Sequence, residues 1–252
     1  MDNKQLSQEF QYEFPYHYIP AIDRKGFSQV SSWSWGMRYI GGIEAVLTQL
    51  RHRKFKSLID IGCGDGRFLR EVANEFQEVV LCGVDYSERA IKLAQAMNPS
   101  IDYRCQNIMH NRLNERFDVA TMVEVLEHIP PDDVDAFLKG VTNHLNPEGV
   151  LILTVPHINK RLQEKHYQHF SVKSLTEALQ GSFVVDKVIP FDYTSRLTNR
   201  VIHLLGYTGN NYLITNKWVM NWAYKQVLRG CLEPQPEKMC GRLLAIAHVR
   251  NT

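Results

Sequence analysis

Three glycines within five residues separate an apolar stretch from a helical pattern in the first third of the chain. Residues 58–68 read LIDIGCGDGRF, so that Asp60 stands near the end of the apolar stretch and Gly62, Gly64 and Gly66 follow. Glycine accepts positive φ and lacks a Cβ, so it suits a tight turn that a ligand can approach closely. The free amides at the start of the following helix favour a polar or anionic group. The spacing is G-x-G-x-G, which differs from the G-x-G-x-x-G of dinucleotide-binding loops.

Two further strand patterns end in polar residues after the glycine loop. Residues 79–85 read VVLCGVD and end at Asp85, and residues 101–105 read IDYRC and lead to Asn107. Ser87 is placed to cap a helix over residues 88–97. Because parallel strands present their carboxyl ends at one edge of a sheet, ligands of open α/β folds bind at that edge. A carboxylate such as Asp85 can accept hydrogen bonds from both hydroxyls of a ribose.

The strand and helix patterns alternate through most of the chain. We expect strands at 117–123, 150–155, 183–189 and 243–249, a helix from 132 through 145, a turn at 146–149, and helices at 172–180, 194–205 and 216–229. This order predicts an α/β fold with a mostly parallel sheet covered on both faces. The predicted division is an aromatic N-terminal extension over 1–50, a core over 51–190, a helical cap insertion over 191–240 and a final core strand over 241–252.

The composition excludes some classes of function. The 252 residues include 29 Lys and Arg against 27 Asp and Glu, a net charge of +2, which makes nucleic acid an unlikely main partner. We expect no membrane span and no signal peptide, because no apolar run is long enough and the first residues are polar. The five cysteines lack zinc-site spacing, and we expect them to be reduced thiols in a cytoplasmic protein. The oligomeric state stays open.

Two segments outside the core are candidates for substrate selection. The N-terminal segment is rich in aromatic and histidine side chains, which are Phe10, Tyr12, Phe14, Tyr16, His17, Tyr18, Phe27, Trp33, Trp35 and Tyr39. Such a segment serves either as a strap over apolar surface or as a lid over a bound cofactor. The insertion before the last strand could shape an acceptor pocket near the carboxyl edge of the sheet.

The glycine loop, Asp85 and Asn107 together resemble the motifs of class I S-adenosylmethionine-dependent methyltransferases. The resemblance implies a Rossmann-like seven-stranded sheet with an antiparallel last strand, and S-adenosylmethionine as the cofactor with S-adenosylhomocysteine as its product. It also implies that Asp60 and the loop hold the methionine end, Asp85 the ribose, and Asn107 with Ile108 the adenine. Many relatives carry Asp where Asn107 stands. The implied cofactor contacts are Asp60, Gly62, Cys63, Gly64, Gly66, Asp85, Tyr86, Asn107, Ile108 and Val123.

The string EVLEHIP at residues 124–130 follows the fourth predicted strand and resembles that of quinone-biosynthesis O-methyltransferases. Within it, His128 is the candidate general base, and Glu127 or Glu124 would orient the base or the acceptor. The string also resembles the small-RNA terminal 2′-O-methyltransferases, in which two glutamates and two histidines hold a divalent metal. Here that set would be Glu124, Glu127 and His128 with His169, or with His166. We favour a metal-free site, with these histidines hydrogen-bonding in the acceptor pocket.

The expected function is therefore S-adenosylmethionine-dependent methylation, with the oxygen of a small molecule or glycan as the acceptor. Two alternatives stay open. One is metal-assisted 2′-O-methylation of RNA, which the Glu-x-x-Glu-His string favours and the balanced charge disfavours. The other is a non-catalytic methyltransferase-like subunit that supports a partner, because a fold alone does not establish turnover.

Overall fold

A computed structural model describes residues 3–10, 21–23, 26–28, 33–110, 113–204 and 216–250 of the chain. The helices are α1 (Asn3–Phe10), α2 (Trp33–Arg51), α3 (Arg67–Glu75), α4 (Glu88–Met97), α5 (Val134–Thr142), α6 (Val172–Leu179), α7 (Arg196–Leu204) and α8 (Lys217–Leu232). The strands are β1 (Ala21–Asp23), β2 (Gly26–Ser28), β3 (Ser57–Ile61), β4 (Val80–Asp85), β5 (Asp102–Cys105), β6 (Phe117–Val123), β7 (Leu145–Pro156), β8 (Phe183–Phe191) and β9 (Arg242–Val249).

Seven strands form one mixed sheet in the order β5-β4-β3-β6-β7-β9-β8. The strands β5, β4, β3, β6 and β7 pair in parallel, whereas β9 runs antiparallel to both β7 and β8. The chain starts the sheet at β3 and winds outward first to one side and then to the other. This reversal places the loop after β3 beside the loop after β6, which is the switch point where ligands bind in such sheets. The predicted seven-stranded Rossmann-like fold with an antiparallel last strand is confirmed.

The predicted boundary between the fifth helix and the following strand is wrong by several residues. The apolar period suggests a helix as far as Leu145 and a turn over residues 146–149. Instead α5 ends at Thr142, and β7 begins at Leu145. Leu145 pairs with Phe117, and the register then shifts before Val150 pairs with Val119. The residues predicted to form a turn therefore belong to β7, at the point where its pairing with β6 changes register. The periodicity of side chains along the sequence does not show such a shift.

Apolar side chains fill both faces of the sheet, as the alternation of strands and helices requires. On one face the core includes Phe137 and Leu138 of α5 and Leu175 of α6. On the other face α2, α3, α4 and α8 contribute a second core, to which α2 brings Val46 and Leu50 with no exposed surface. Within the described parts of the chain, no helix has both the length and the apolar composition to cross a membrane.

The second half of the predicted N-terminal extension is helix α2, which packs on the sheet and on α8. Five of the aromatic residues named above lie in described elements, namely Phe10 in α1, Phe27 in β2, and Trp33, Trp35 and Tyr39 in α2. The others, Tyr12, Phe14, Tyr16, His17 and Tyr18, lie outside the described residues. Helix α1 lies against the loop before α6, where Lys4 Nζ donates hydrogen bonds to the carbonyl oxygens of Glu164 and His166 at 2.9 and 2.6 Å.

Two helical glycines provide a matched test of this packing. A Cβ on Gly230 of α8 would overlap the carbonyl oxygen of Tyr193, whereas a Cβ on Gly36 of α2 would meet no atom within 4 Å. We expect Gly36→Ala to stabilise the fold by up to about 1 kcal/mol, the helix preference of alanine over glycine. We expect Gly230→Ala to destabilise it by about 1–3 kcal/mol, the usual cost of overpacking. Thermal unfolding of both variants checks this, and equal melting temperatures would contradict it.

Candidate active site

The turn between β3 and α3 is shaped by steric exclusion. Gly62, Gly64 and Gly66 all have positive φ, at 74°, 54° and 77°. A Cβ on Gly62 would lie 2.6 Å from a methyl carbon of Val125, and one on Gly66 would overlap the Tyr103 hydroxyl. These contacts explain why the turn requires glycine at positions whose backbone other residues rarely adopt.

Asp85 holds this turn from the end of the neighbouring strand. Its Oδ2 accepts a hydrogen bond from the Gly64 amide at 3.0 Å, and its Oδ1 accepts one from the Ser87 amide at 2.9 Å. Ser87 in turn caps α4 by accepting from the Ala90 amide at 3.1 Å. The carboxylate therefore joins the glycine loop to the start of α4, and it lines a cavity at this edge of the sheet.

The first cavity lies beside Asp85 and has apolar walls on its far side. Ile108 and Phe137 form part of that wall, and both are nearly fully buried. Asn107 also lines the cavity, and its Oδ1 accepts a hydrogen bond from the Met109 amide at 3.0 Å. Gln5 of α1 reaches the same cavity. The lining residues predicted from sequence are Gly62, Asp85, Tyr86, Asn107, Ile108, Glu124 and His128.

The second cavity lies on the other side of the glycine loop and is more polar. Its predicted lining residues are Asp60, Gly62, Cys63, Gly64, Val123, Glu124, Glu127, His128 and His166. Cationic side chains that the sequence reasoning missed line it as well, and they are Arg38, Lys160, Lys165 and Arg242. Gly66 lines neither cavity, because it packs against Tyr103.

Asp60 is a buried acid at the floor of the second cavity. Only 2 % of its surface is exposed, and its Oδ1 accepts a hydrogen bond from the Thr121 hydroxyl at 2.7 Å. Burial raises the pKa of Asp60 to about 7, and the charge of Asp85 adds to this, although the hydrogen bond from Thr121 opposes it. Asp60 therefore gains or loses its proton near neutral pH, and a cation that binds beside it would favour the ionised form.

The end of β6 brings Glu124, Glu127 and His128 to the boundary between the two cavities. Glu124 has a φ of 58°, which is uncommon for a non-glycine residue, and the short 3-10 turn Leu126–His128 follows it. Glu124 and His128 line both cavities. Such backbone strain is found mainly where the surrounding structure holds a side chain in a functional position.

Glu127 is a buried carboxyl group without a hydrogen-bond partner. The side chain is 0 % exposed, and within the described residues neither of its oxygens is hydrogen-bonded. Burial raises the pKa of Glu127 well above its usual value, and the negative charge of Glu124 raises it further. Glu127 is therefore held in its protonated, neutral form unless a cation binds next to it.

The hydrogen bonds around His128 determine which of its nitrogens carries the proton. Its Nδ1 lies 3.1 Å from the carbonyl oxygen of Lys165, which can only accept, so Nδ1 donates and Nε2 keeps its lone pair. Burial lowers the pKa of His128 to about 4, and the nearby charge of Lys165 contributes to this. The imidazole is therefore neutral at pH 7 and can accept a proton at Nε2.

His166 and His169 form a chain of hydrogen bonds in which the donor and the acceptor can be assigned at each step. His169 Nδ1 donates to the carbonyl oxygen of Lys160 at 3.2 Å, which leaves its Nε2 to accept from His166 Nδ1 at 2.8 Å. The free lone pair of His166 is thus also on Nε2. Burial lowers the pKa of His166 to about 3. The rings of His128 and His166 stand edge to face with their centroids 4.8 Å apart.

One carboxyl group and two imidazoles consequently converge within a small volume. Ligand atoms of Glu127, His128 and His166 all lie within 4.8 Å of one another. Of the two histidines suggested by the sequence as a fourth metal ligand, His166 is in this group, and His169 lies behind it as a hydrogen-bond partner. A neutral Glu127 beside two neutral imidazoles leaves the group without net charge, and a divalent cation such as Zn²⁺ would bind the same set of atoms.

Asp192 organises the cationic wall of the second cavity. It has a φ of 66°, is almost fully buried, and forms ion pairs with Arg38, Lys160 and Arg242 at 2.8, 2.8 and 3.0 Å. Burial opposes its ionisation, but the three cations outweigh burial and keep the pKa of Asp192 well below its usual range. Because one carboxylate faces three cations, the wall retains positive charge. No local sequence pattern signals this wall, because its residues lie far apart in the chain.

The glycine loop, the acid at the end of β4 and the switch-point cavity define a nucleoside-binding α/β protein. Residues 38–182, more than half of the chain, match the family described as the methyltransferase domain, and the chain belongs to that family. It is a class I S-adenosylmethionine-dependent methyltransferase, and its cofactor is S-adenosylmethionine. The donor set fits this group, since the cavities offer a carboxylate for ribose, apolar walls for a purine and both signs of charge for an amino acid.

Individual relatives agree with this assignment. The chain is 28% identical over 166 residues to a ubiquinone biosynthesis O-methyltransferase of Coxiella burnetii, covering 63% of this chain and 68% of that protein. It is 28% identical over 111 residues to a cyclopropane-fatty-acyl-phospholipid synthase of Escherichia coli, covering 44% and 29% of the two proteins. Among solved structures, the N-methyltransferase NodS of Bradyrhizobium japonicum in complex with S-adenosylhomocysteine superposes with a TM-score of 0.62 at 14% identity, covering 99% and 100%.

Proposed function

We propose that this methyltransferase methylates a hydroxyl oxygen of a small molecule or glycan in the cytoplasm, with His128 as the general base. The observation that carries the proposal is the unprotonated Nε2 of a neutral His128 at the boundary of the two cavities. The O-methyltransferase activity named for the Coxiella burnetii relative supports an oxygen acceptor. A screen of hydroxylated aromatic and sugar compounds, read out as S-adenosylhomocysteine formed, tests the proposal.

The two cavities suggest how the cofactor is held. We assign the ribose to Asp85, the adenine to Tyr86, Asn107 and Ile108, and the methionine end to Asp60, Val123 and the loop of Gly62, Cys63 and Gly64. An ionised Asp60 would pair with the methionine ammonium group. The excess positive charge of Arg38 and Arg242 beside the same cavity would pair with the methionine carboxylate.

The reaction requires the chain to hold an acceptor in line with the methyl group and to remove its proton. S-adenosylmethionine supplies an electrophilic methyl group on a positively charged sulfur. His128 Nε2 accepts the acceptor's proton, and the hydrogen bond from its Nδ1 to the Lys165 carbonyl oxygen keeps the ring oriented. A neutral Glu127 can donate a hydrogen bond to the acceptor or to an imidazole, and Glu124 orients the acceptor. Helix α1, with Gln5 at the first cavity, forms part of a lid.

The pKa of Asp60 gives a prediction for cofactor binding. Because its pKa is raised to about 7, much of the free protein carries a neutral Asp60 below that pH, and binding of an ammonium group requires its ionisation. Affinity for S-adenosylhomocysteine should therefore rise about tenfold between pH 6 and pH 8, as linkage requires for one proton released. Calorimetric titration at both pH values measures this affinity.

The variant Asp60→Asn should weaken binding and remove the pH dependence, whereas Asp135→Asn, on the exposed face of α5, should retain the pH dependence. A parent affinity that is independent of pH would contradict this role.

Removal of the base tests the catalytic assignment. We expect His128→Ala to lower turnover by about 10²–10⁴-fold, the usual contribution of general-base catalysis, and to leave affinity for S-adenosylhomocysteine nearly unchanged. The matched control is His52→Ala, because His52 is exposed at the end of α2, away from the cavities. Turnover of His128→Ala within threefold of the parent would remove His128 from the role of base.

A second candidate is metal-assisted methyl transfer, favoured by the convergence of Glu127, His128 and His166. Carboxylate and imidazole ligands suit Zn²⁺ or Mn²⁺. The high pKa of Glu127 provides a simpler explanation, since a neutral carboxyl group beside two neutral imidazoles leaves no uncompensated charge. RNA as the acceptor has no comparable support in the charge of the chain.

Chelation distinguishes these two readings of the cluster. We expect methyl transfer to be unchanged after treatment with EDTA, because a neutral Glu127 beside two neutral imidazoles leaves no charge for a cation to balance. Activity lost to EDTA, restored by manganese or zinc, and no longer restored in His166→Ala would instead establish the metal-assisted mechanism. Emission spectrometry measures the metal content of the purified parent and of His166→Ala. Metal present in the parent and absent from the variant would show that the cation binds at this cluster, rather than only stimulating the reaction when it is added.

A further inference from the structure

Helix α8 exposes large aromatic side chains to solvent. Trp218 is 86 % exposed and Trp222 is 42 % exposed. Their spacing of four residues places them on one side of the helix, and Lys225 and Arg229 continue the same side with exposed side chains. Exposed tryptophans are costly in water, so two of them in adjacent turns mark a surface that another phase or molecule covers.

The opposite side of α8 is firmly packed, so the exposed tryptophans do not belong to a loosely placed core helix. Ala223, Val227 and Cys231 are buried, and a Cβ on Gly41 of α2 would lie 2.6 Å from the Cys231 sulfur. Asn216 caps the start of α8 by accepting from the amides of Trp218 and Val219 at 3.0 and 3.2 Å. The packing and the cap fix the rotation of the helix and thereby hold Trp218 and Trp222 outward.

The charge of this part of the chain differs from that of the whole. Over residues 193–232 the sequence contains five basic residues, Arg196, Arg200, Lys217, Lys225 and Arg229, and no Asp or Glu. The complete chain, in contrast, nearly balances its 29 basic residues with 27 acidic ones. On α7, Leu197 is 73 % exposed between Arg196 and Arg200, whose side chains are also exposed. Residues 193–232 of the insertion thus combine exposed apolar side chains with an excess of positive charge.

We propose that the exposed face of α8, defined by Trp218, Asn221, Trp222, Lys225 and Arg229, docks on the surface of an anionic phospholipid bilayer. Tryptophan rings prefer the interface between headgroups and acyl chains, and lysine or arginine side chains bind the phosphates around them. The opposite, packed face of α8 remains in the protein, so the helix lies on the membrane without crossing it. Arg229 shares its charge with Glu233, at 3.8 Å, but Lys217 and Lys225 give α8 an excess of positive charge that selects an anionic surface over a zwitterionic one. The proposal does not depend on which acceptor is methylated.

The docked helix adjoins the wall of the second cavity. The Gly230 carbonyl oxygen of α8 accepts hydrogen bonds from the amides of Asp192 and Tyr193 at 2.8 and 3.1 Å. Asp192 in turn holds Arg38 and Arg242 at the cavity. When the enzyme is docked through α8, this helix separates the lipid surface from the polar wall of the second cavity. This short separation suits an acceptor that partitions into membranes.

Vesicle sedimentation tests the proposal with the full chain. Vesicles of 30% phosphatidylglycerol and 70% phosphatidylcholine should sediment the protein at low salt, and the bound fraction should fall as salt is raised. Vesicles of phosphatidylcholine alone should bind about tenfold less. Tryptophan emission should shift to shorter wavelength on binding to the anionic vesicles.

Variants on the exposed face distinguish docking through α8 from general adhesion. Trp218→Ala with Trp222→Ala, and separately Lys225→Glu, should each lower the bound fraction about tenfold while the melting temperature stays unchanged. Met97→Ala on α4, where a large apolar side chain is also exposed, should bind like the parent. Absence of binding to anionic vesicles, equal binding to both compositions, or undiminished binding by the double variant would overturn the proposal. So would a tryptophan-dependent dimer in light scattering without vesicle binding.

Discussion

The tight turn after the first strand of the sheet is the constraint on which the site depends. Val125 stands behind Gly62 and Tyr103 behind Gly66, so only a chain without side chains at those positions can pass. Since β3 lies at the centre of the parallel strands, its turn has the end of β4 on one side and the end of β6 on the other. Asp85 and the segment from Glu124 to His128 are thereby placed on opposite flanks of the same loop.

Burial sets the charges around this loop in two different ways. Asp60 and Glu127 lie where burial favours the neutral acid, and their charge can respond to a bound cation. Asp192 is also buried, but three cations keep it ionised, and it acts as the fixed centre of the cationic wall. In the proposed site, adjustable acids and a neutral imidazole therefore face a permanently charged wall. This arrangement suits a cofactor whose amino acid part carries both signs of charge.

Local patterns in the sequence were sufficient for the main elements. Residues 88–97 and 117–123 are helix α4 and strand β6 as predicted, because apolar period, caps and turn residues agree there. Prediction was wrong at Leu145, where an apolar residue in helical register belongs to a strand whose pairing shifts. The cationic wall was missed because Arg38, Lys160, Asp192 and Arg242 are distant in sequence. Nor could the spacing of His166 and His169 show which of them faces Glu127.

The sequence by itself determined the class of fold, because a glycine turn and an acid after the next strand are local features with a definite stereochemical purpose, and the cofactor followed from the resemblance of these motifs to those of class I methyltransferases. Tertiary structure alone decided the charges and the orientation of the functional groups. The proton on His128 is positioned by the carbonyl of Lys165, the neutrality of Glu127 follows from its burial, and the outward direction of Trp218 follows from the packing of α8 on α2. Each of these depends on atoms far apart in the chain that only the folded protein brings into contact.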